Sequence, residues 1–421
     1  YNCNIKRDKI KMKKKIIIGS TIFLLLLLGF ICVSLAPRNT NSLDQEVVFW
    51  TLQMNDFTPY MTDIITKFEY ENPDIKIKWI DVPFSEGEKR TLASVLSDNP
   101  PDLINLNPDF TALLAQRGAL YQIDEQYTKQ YNQSIINSLK TNGKLYSLPW
   151  YATSAVTIYN KDLLAKSGAK MPATYKDLAQ IAPQIKQKTG AYILLPNITE
   201  NDTMARILNK YGVTPNNINS QKSQEVFELF KNLYEKDLIP KESITQTHRE
   251  ALEKYMAEKI VFFQAGANFL TMIKENAPST YANTDVAPQI VGELGQNDFS
   301  LMNFVIPTRA KHKSEALKFA LFLTNSENQL AMAKLTNILA VNEETLQNEF
   351  YTKYDEKDLM SKARIISAKQ LNKIEPTFMP ARNQKEINLL VNEAVQQILL
   401  NKATTKNILD NLSDKMKVLS E

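Results

Sequence analysis

Tyr146, Trp150, Tyr151 and Tyr159 fall within fourteen positions of one stretch, NGKLYSLPWYATSAVTIYNKDLLAKSG (142–168). Rings of this kind either fill a core or cover the apolar C–H faces of a hydroxylated molecule held in a cleft. Trp150 and Tyr151, beside Pro149 and a run of small residues, are expected at a cleft, and Tyr146 and Tyr159 in a core or hinge. Hydroxyl groups both donate and accept, so such a cleft also needs Asp, Asn and Gln. A charged acceptor makes the stronger hydrogen bond. Gln53, Asn55, Asn107 and Asp109 supply these types, each shortly after an apolar run.

The runs before them read as strands. Residues 47–50 (VVFW) form a buried-type strand, and Thr58-Pro59 opens a helix with Met61, Ile64, Ile65 and Phe68 at helical spacing. That helix should stop near Asn72-Pro73, because the residue before proline disfavours helix. Ile75, Ile77 and Trp79 alternate as a second strand. Leu92, Val95 and Leu96 mark a second helix, and 101–106 a third strand. The order βαβαβ begins a doubly wound α/β sheet. Ligands of such sheets bind beyond the carboxyl ends of the strands, which is where Gln53, Asn55, Asn107 and Asp109 stand. Asp109 is equally suited to cap the helix that follows it. From Pro172 a fresh unit starts, with a helix capped by Thr174, strands at 191–195 and 260–264, and further helices to the end.

Composition bounds the classes. The chain has 421 residues, more than one ordinary core, with 43% hydrophobic and 23% charged residues, as in globular proteins. Only 11 Gly are present, there is no glycine-rich phosphate loop, and nothing calls for a cofactor. Basic residues 13–15 precede an apolar run over 16–36, so residues 1–36 read as a signal peptide or an uncleaved membrane anchor, with 37–45 as a tether. Ser34-Leu35-Ala36 has the small-x-small pattern of a cleavage site, Pro37 after it leaves the anchor open, and Cys32 offers a place for lipid attachment. This leader holds seven Lys/Arg and one acid, leaving 43 basic and 45 acidic residues after it. The basic balance therefore belongs to the leader and gives no argument for nucleic acid. Both cysteines, Cys3 and Cys32, lie in the leader, so disulfide and thiol chemistry are not expected beyond it. With only His248 and His312, a histidine-rich metal site is not expected either.

Several blocks resemble the extracellular solute-binding proteins that serve carbohydrate ABC importers, the maltose-binding-like group. They are VVFWTLQMNDFTPYMTDIITKFEYENPDIKI (47–77), NPPDLINLNPDFTALLAQRGAL (99–120), GKLYSLPWYATSAVTIYNKDLLAKSG (143–168) with MPATYKDL (171–178), MAEKIVFFQAGANFLTMI (256–273) and SEALKFALFLTNSENQLAMAK (314–334). The resemblance runs from about Glu46 to the end, and the third block is its most specific part. It implies a type II clamshell: two α/β lobes joined by chain crossings near 152–155, 264–267 and 307–310. The lobes would then be 46–153 with 266–308, and 154–265 with 309–421.

The resemblance also implies an exported, monomeric binding protein, in the periplasm or on the outer face of the cytoplasmic membrane, that delivers a carbohydrate or polyol to a membrane permease. By position it puts forward Gln53, Asn55, Asp109, Trp150, Tyr151 and Thr153. Where the family often carries a stacking Trp, this chain reads Gly266-Ala267-Asn268, and Asn268 becomes the candidate. The C-terminal cleft segment, Met379-Pro380-Ala381-Arg382, lacks the aromatic of oligosaccharide binders and leaves Arg382. A smaller or more polar ligand than a long malto-oligosaccharide follows. The alternatives are an exported glycoside hydrolase using two carboxylates, and a binding protein of the same fold for a polyamine or peptide.

Overall fold

The computed structural model describes residues 45–52, 54–336, 338–355, 357–371 and 383–420. One eight-stranded sheet runs β2-β1-β3-β7-β4-β5, with β6 and β8 also paired to β4. The strands are β1 (Gln45–Leu52), β2 (Ile75–Val82), β3 (Leu103–Leu106), β4 (Ser147–Asn160), β5 (Phe262–Gly266), β6 (Thr284–Ala287), β7 (Phe299–Val305) and β8 (Leu339–Ala340). β1 pairs in parallel with β2 and with β3, the βαβαβ start that the alternating apolar residues predict. Val47 and Phe49 point into the core, and all four residues of β3 are buried because β3 lies inside the sheet.

β4 sets the architecture. Its first half, 147–154, pairs with β7, and its second half, 155–160, pairs with β5 and β6. The register slips between Pro149 and Tyr151. Proline has no N–H to give to the ladder, so a bulge at Trp150 costs little there. One strand thus joins two lobes with separate cores. The first core is ringed by Phe49, Phe68, Trp150, Phe304 and Phe319. The second gathers Tyr175, Phe227, Phe230 and the helices Gln384–Leu399 and Thr405–Ser420.

The pairing departs from the expected lobe boundaries. Residues 266–308 were expected in the first lobe, yet β6 pairs with 157–160 of β4. The chain turns back through the helix Phe269–Asn276 and crosses only at Asp298/Phe299, where β7 begins. Likewise 309–421 was expected wholly in the second lobe. The helices Lys313–Leu323 and Ser326–Thr336 instead pack Phe319, Leu323 and Met332 into the first core. The helix Leu359–Gln370 spans both lobes: its Ala363 and Ile366 pack in the second while Ala368 and Leu371 beyond them pack in the first. The strand expected at 191–195 is a single bridge, Tyr192 to Ile260, although Ile193 and Leu195 are buried as a strand there would bury them.

Leader residues 1–36, the tether through residue 44, Gln53 and Arg382 lie outside the described residues. Among the described residues no helix is long and apolar enough to cross a membrane.

Candidate functional site

A cavity of about 460 Å³ opens between the lobes, with walls from both. The first lobe contributes the start of the helix Pro108–Gln116. Asn107 caps it, its Oδ1 accepting from the Phe110 N–H at 2.8 Å, so that amide oxygen is committed to the backbone. Asp109, in the first turn, lines the cavity. The second lobe contributes the helix Thr203–Asn209, with Asp202 just before it and Lys210 just after. The crossing segment Gln296-Asn297-Asp298 and the first residues of β7, Phe299 and Ser300, form the back wall.

Charges alternate along this wall. Arg206 Nε donates to Asp202 Oδ2 at 2.7 Å. Lys210 is 2% exposed and its Nζ lies 2.5 Å from Asp298 Oδ2. Burial alone would lower the pKa of Arg206, but Asp202, Asp298 and Asp109 outweigh it and hold the guanidinium above its ordinary value. Asp109 of one lobe is therefore felt by Arg206 of the other. Burial likewise works against the Lys210 ammonium, and Tyr175 and Asp298 outweigh it.

A second cavity of about 200 Å³ shares Arg206 and Asp298 with the first and is lined also by Tyr175, His248, Phe263 and Gln264. Carboxylates, a guanidinium and amides beside Leu294, Phe299 and Leu301 can satisfy a small molecule that donates and accepts on its edges and is apolar on its faces.

The structure sorts the expected residues. Asp109 is in the cleft. Thr153 is exposed and stands opposite Ser300 in the β4–β7 register; facing residues share one side of a sheet, so it adjoins the cleft wall. Tyr151 is half-buried, with its hydroxyl against the Met54 sulfur at 4.0 Å, and burial pushes its pKa up to about 12. Asn55 is exposed in a short turn after β1. That turn is held from behind by Asp81, which accepts from Thr51 Oγ1 at 2.6 Å and from the Met54 N–H at 2.9 Å.

Trp150 corrects the expectation. It is 0% exposed, stacked on Phe304 at 4.6 Å between centroids and edge-on to Phe49, a core residue with no face toward the cleft. It shares the core side of β4 with Leu148 and Ala152, two residues away on either side. Asn268 is exposed just before the helix Phe269–Asn276, outside the linings of both cavities. Arg206, Lys210 and Asp298 were missed. The spacing of Asp202, Arg206 and Lys210 by four, one helical face, was the available signal.

The chain is 27% identical over 340 residues to the multiple sugar-binding protein of Streptococcus mutans, covering 72% of this chain and 78% of that one. It is 22% identical over 402 residues to the galactooligosaccharide-binding protein of Bacillus subtilis, covering 91% of each. The structure of the sugar-binding protein MalE from Xanthomonas citri superposes with a TM-score of 0.75 at 19% identity, over 89% of this chain and 97% of that one, and shares its fold. The model of the bacterial extracellular solute-binding protein family matches residues 63–358, most of the chain, and the protein belongs to that family.

Proposed function

We propose that this chain is the exported solute-binding component of an ABC importer, taking a sugar or sugar-like solute between its lobes and delivering it to a membrane permease. One observation carries the reading: a polar cleft whose walls come from both lobes, with Asp109 on one side and Asp202 and Arg206 on the other. The relatives named for sugar binding support the class of solute. A ligand bridging both walls favours the closed arrangement by its contacts to the second lobe, which is a shift between two states. The chemistry is capture without turnover, and the permease reads the closed form.

In this reading Asp109 accepts from ligand hydroxyls, and Thr153 and Tyr151 border the cleft at β4. Gln53, Asn55 and Arg382 remain contacts that the resemblance puts forward. A hydrogen bond to a charged group contributes about 1.5–3 kcal/mol. Asp109→Ala should therefore weaken binding roughly ten- to hundredfold in calorimetry while the melting curve stays near that of the parent. Unchanged affinity would remove Asp109 from the site, and a sugar converted during incubation would replace capture with hydrolysis.

A further inference from the structure

Asp298 stands where the chain leaves the second lobe for β7, and it is held from several sides. Its N–H donates to Gln289 Oε1 at 2.9 Å, and its carbonyl accepts from Gln289 Nε2 at 2.8 Å and from Ser154 Oγ at 3.3 Å. The Gln289 N–H donates to Gln370 Oε1 at 2.8 Å. Gln370 Nε2 donates to Ser154 Oγ at 3.0 Å and to the Ala155 carbonyl at 2.8 Å. Ser154, Gln289 and Gln370 are 5%, 4% and 6% exposed. These side chains tie together three segments that run between the lobes: β4 at Ser154/Ala155, the crossing at Asp298/Phe299, and the helix Leu359–Gln370.

A buried network of this kind is stable only when each member is satisfied, and it then fixes position closely. What it fixes is the backbone of Asp298, from which the carboxylate projects. Asp298 lines both cavities, and its side chain keeps 38% of its surface exposed. Its Oδ2 is taken by Lys210, and Oδ1 accepts no hydrogen bond among the described residues. The Lys210 ammonium is itself buried beneath the cavity wall, out of reach of a ligand, so its contribution there is to orient Asp298. In a hinge closure a group on the crossing lies near the axis and moves little.

We propose that Asp298 is a ligand acceptor for a sugar hydroxyl, and that Lys210 and Gln289 are positioning residues that present its carboxylate to both cavities. The inference rests on the sugar-binding reading of this cleft.

The test titrates the full chain and its variants with maltose, maltotriose, raffinose, galactobiose and mannitol, with spermidine as the non-sugar probe. Asp298→Asn should lower affinity at least tenfold for whichever sugar binds the parent. That variant strands a buried ammonium, so the double variant Asp298→Asn with Lys210→Met is measured beside it. Removing both charges should return the melting temperature toward the parent while binding stays weak. Gln289→Leu should weaken the parent but add little on the Asp298→Asn background, whereas a merely structural Gln289 would weaken both alike.

A sugar that binds the double variant as tightly as the parent overturns the role of Asp298 and leaves the sugar reading intact. Binding of spermidine alone overturns the sugar reading, and with it the hydroxyl acceptor.

Discussion

At the scale of single residues, the same aromatic stretch divides between core and cleft. Trp150 packs on Phe304, Phe49 and Tyr151, and its carbonyl accepts from Gln329 Nε2 at 2.6 Å. Trp150→Ala should cost about 3–5 kcal/mol of stability, as large-to-small core changes do. Trp150→Phe should cost less and leave ligand affinity unchanged. Chemical denaturation and calorimetry read the two effects separately, and a tenfold loss of affinity in Trp150→Phe would return this ring to the cleft.

Residue types alone pointed to Trp150 because a Trp beside proline and small residues suits either environment; its alternation with Leu148 and Ala152 on the core side of β4 decides for the core. Asp109 was legible because it follows a strand at the start of a helix, a position with a rule attached. Asp298 was not, since its partnership with Lys210 joins residues far apart in the chain, and a Gln-Asn-Asp run before a strand reads as an ordinary turn.

Among the elements, the helix His248–Met256 shows how a local signal acquires a tertiary consequence. Thr247 and Glu250 form a capping box, legible in the sequence as Thr-x-x-Glu. The first helical residue, His248, then stacks on Phe263 at 4.7 Å and meets Phe269 edge-on at 5.1 Å. Burial lowers its pKa below the ordinary 6.5, and Glu200 opposes that only in part. The unfolded chain therefore binds a proton in a window where the folded chain does not, the window lying below 6.5. Stability from this group is complete above that window and is lost as pH falls through it. The melting temperature should drop on going from about pH 7.5 to about 5.5, and His248→Phe should flatten that slope. An equal slope in the variant, followed by circular dichroism, would assign the effect to other groups.

Elements with strict alternation or helical spacing, such as β1, β2 and the helix Thr58–Glu71, stand where their patterns put them. The run at 191–195 did not become a strand. Its burial is real, but an apolar run says that a segment is inside, not that it has partners on both sides.

For the whole molecule, the two-lobed clamshell was legible through the order of its motif blocks, whereas the later passages between the lobes, after β5 and after β7, were not. β4 exchanges β7 for β5 at Ser154/Ala155, where Thr153 and Ser154 interrupt the apolar run, but the later crossing at Asp298/Phe299 is written only in pairing. The helices Lys313–Leu323 and Ser326–Thr336 carry apolar faces that would suit either core; contact with Phe49 and Phe68 decides for the first. With three passages meeting at Ser154, Gln289 and Gln370, closure should be a rigid rotation of the lobes, seen in X-ray scattering as a smaller radius of gyration when ligand is added.

Calorimetric titration of the purified protein with mono-, di- and oligosaccharides, polyols, polyamines and peptides reads directly what the cleft holds. One carbohydrate should bind at one site per chain, with its affinity reduced by Asp109→Ala. Binding of a polyamine or peptide, with no heat from any carbohydrate, would contradict a sugar-binding cleft.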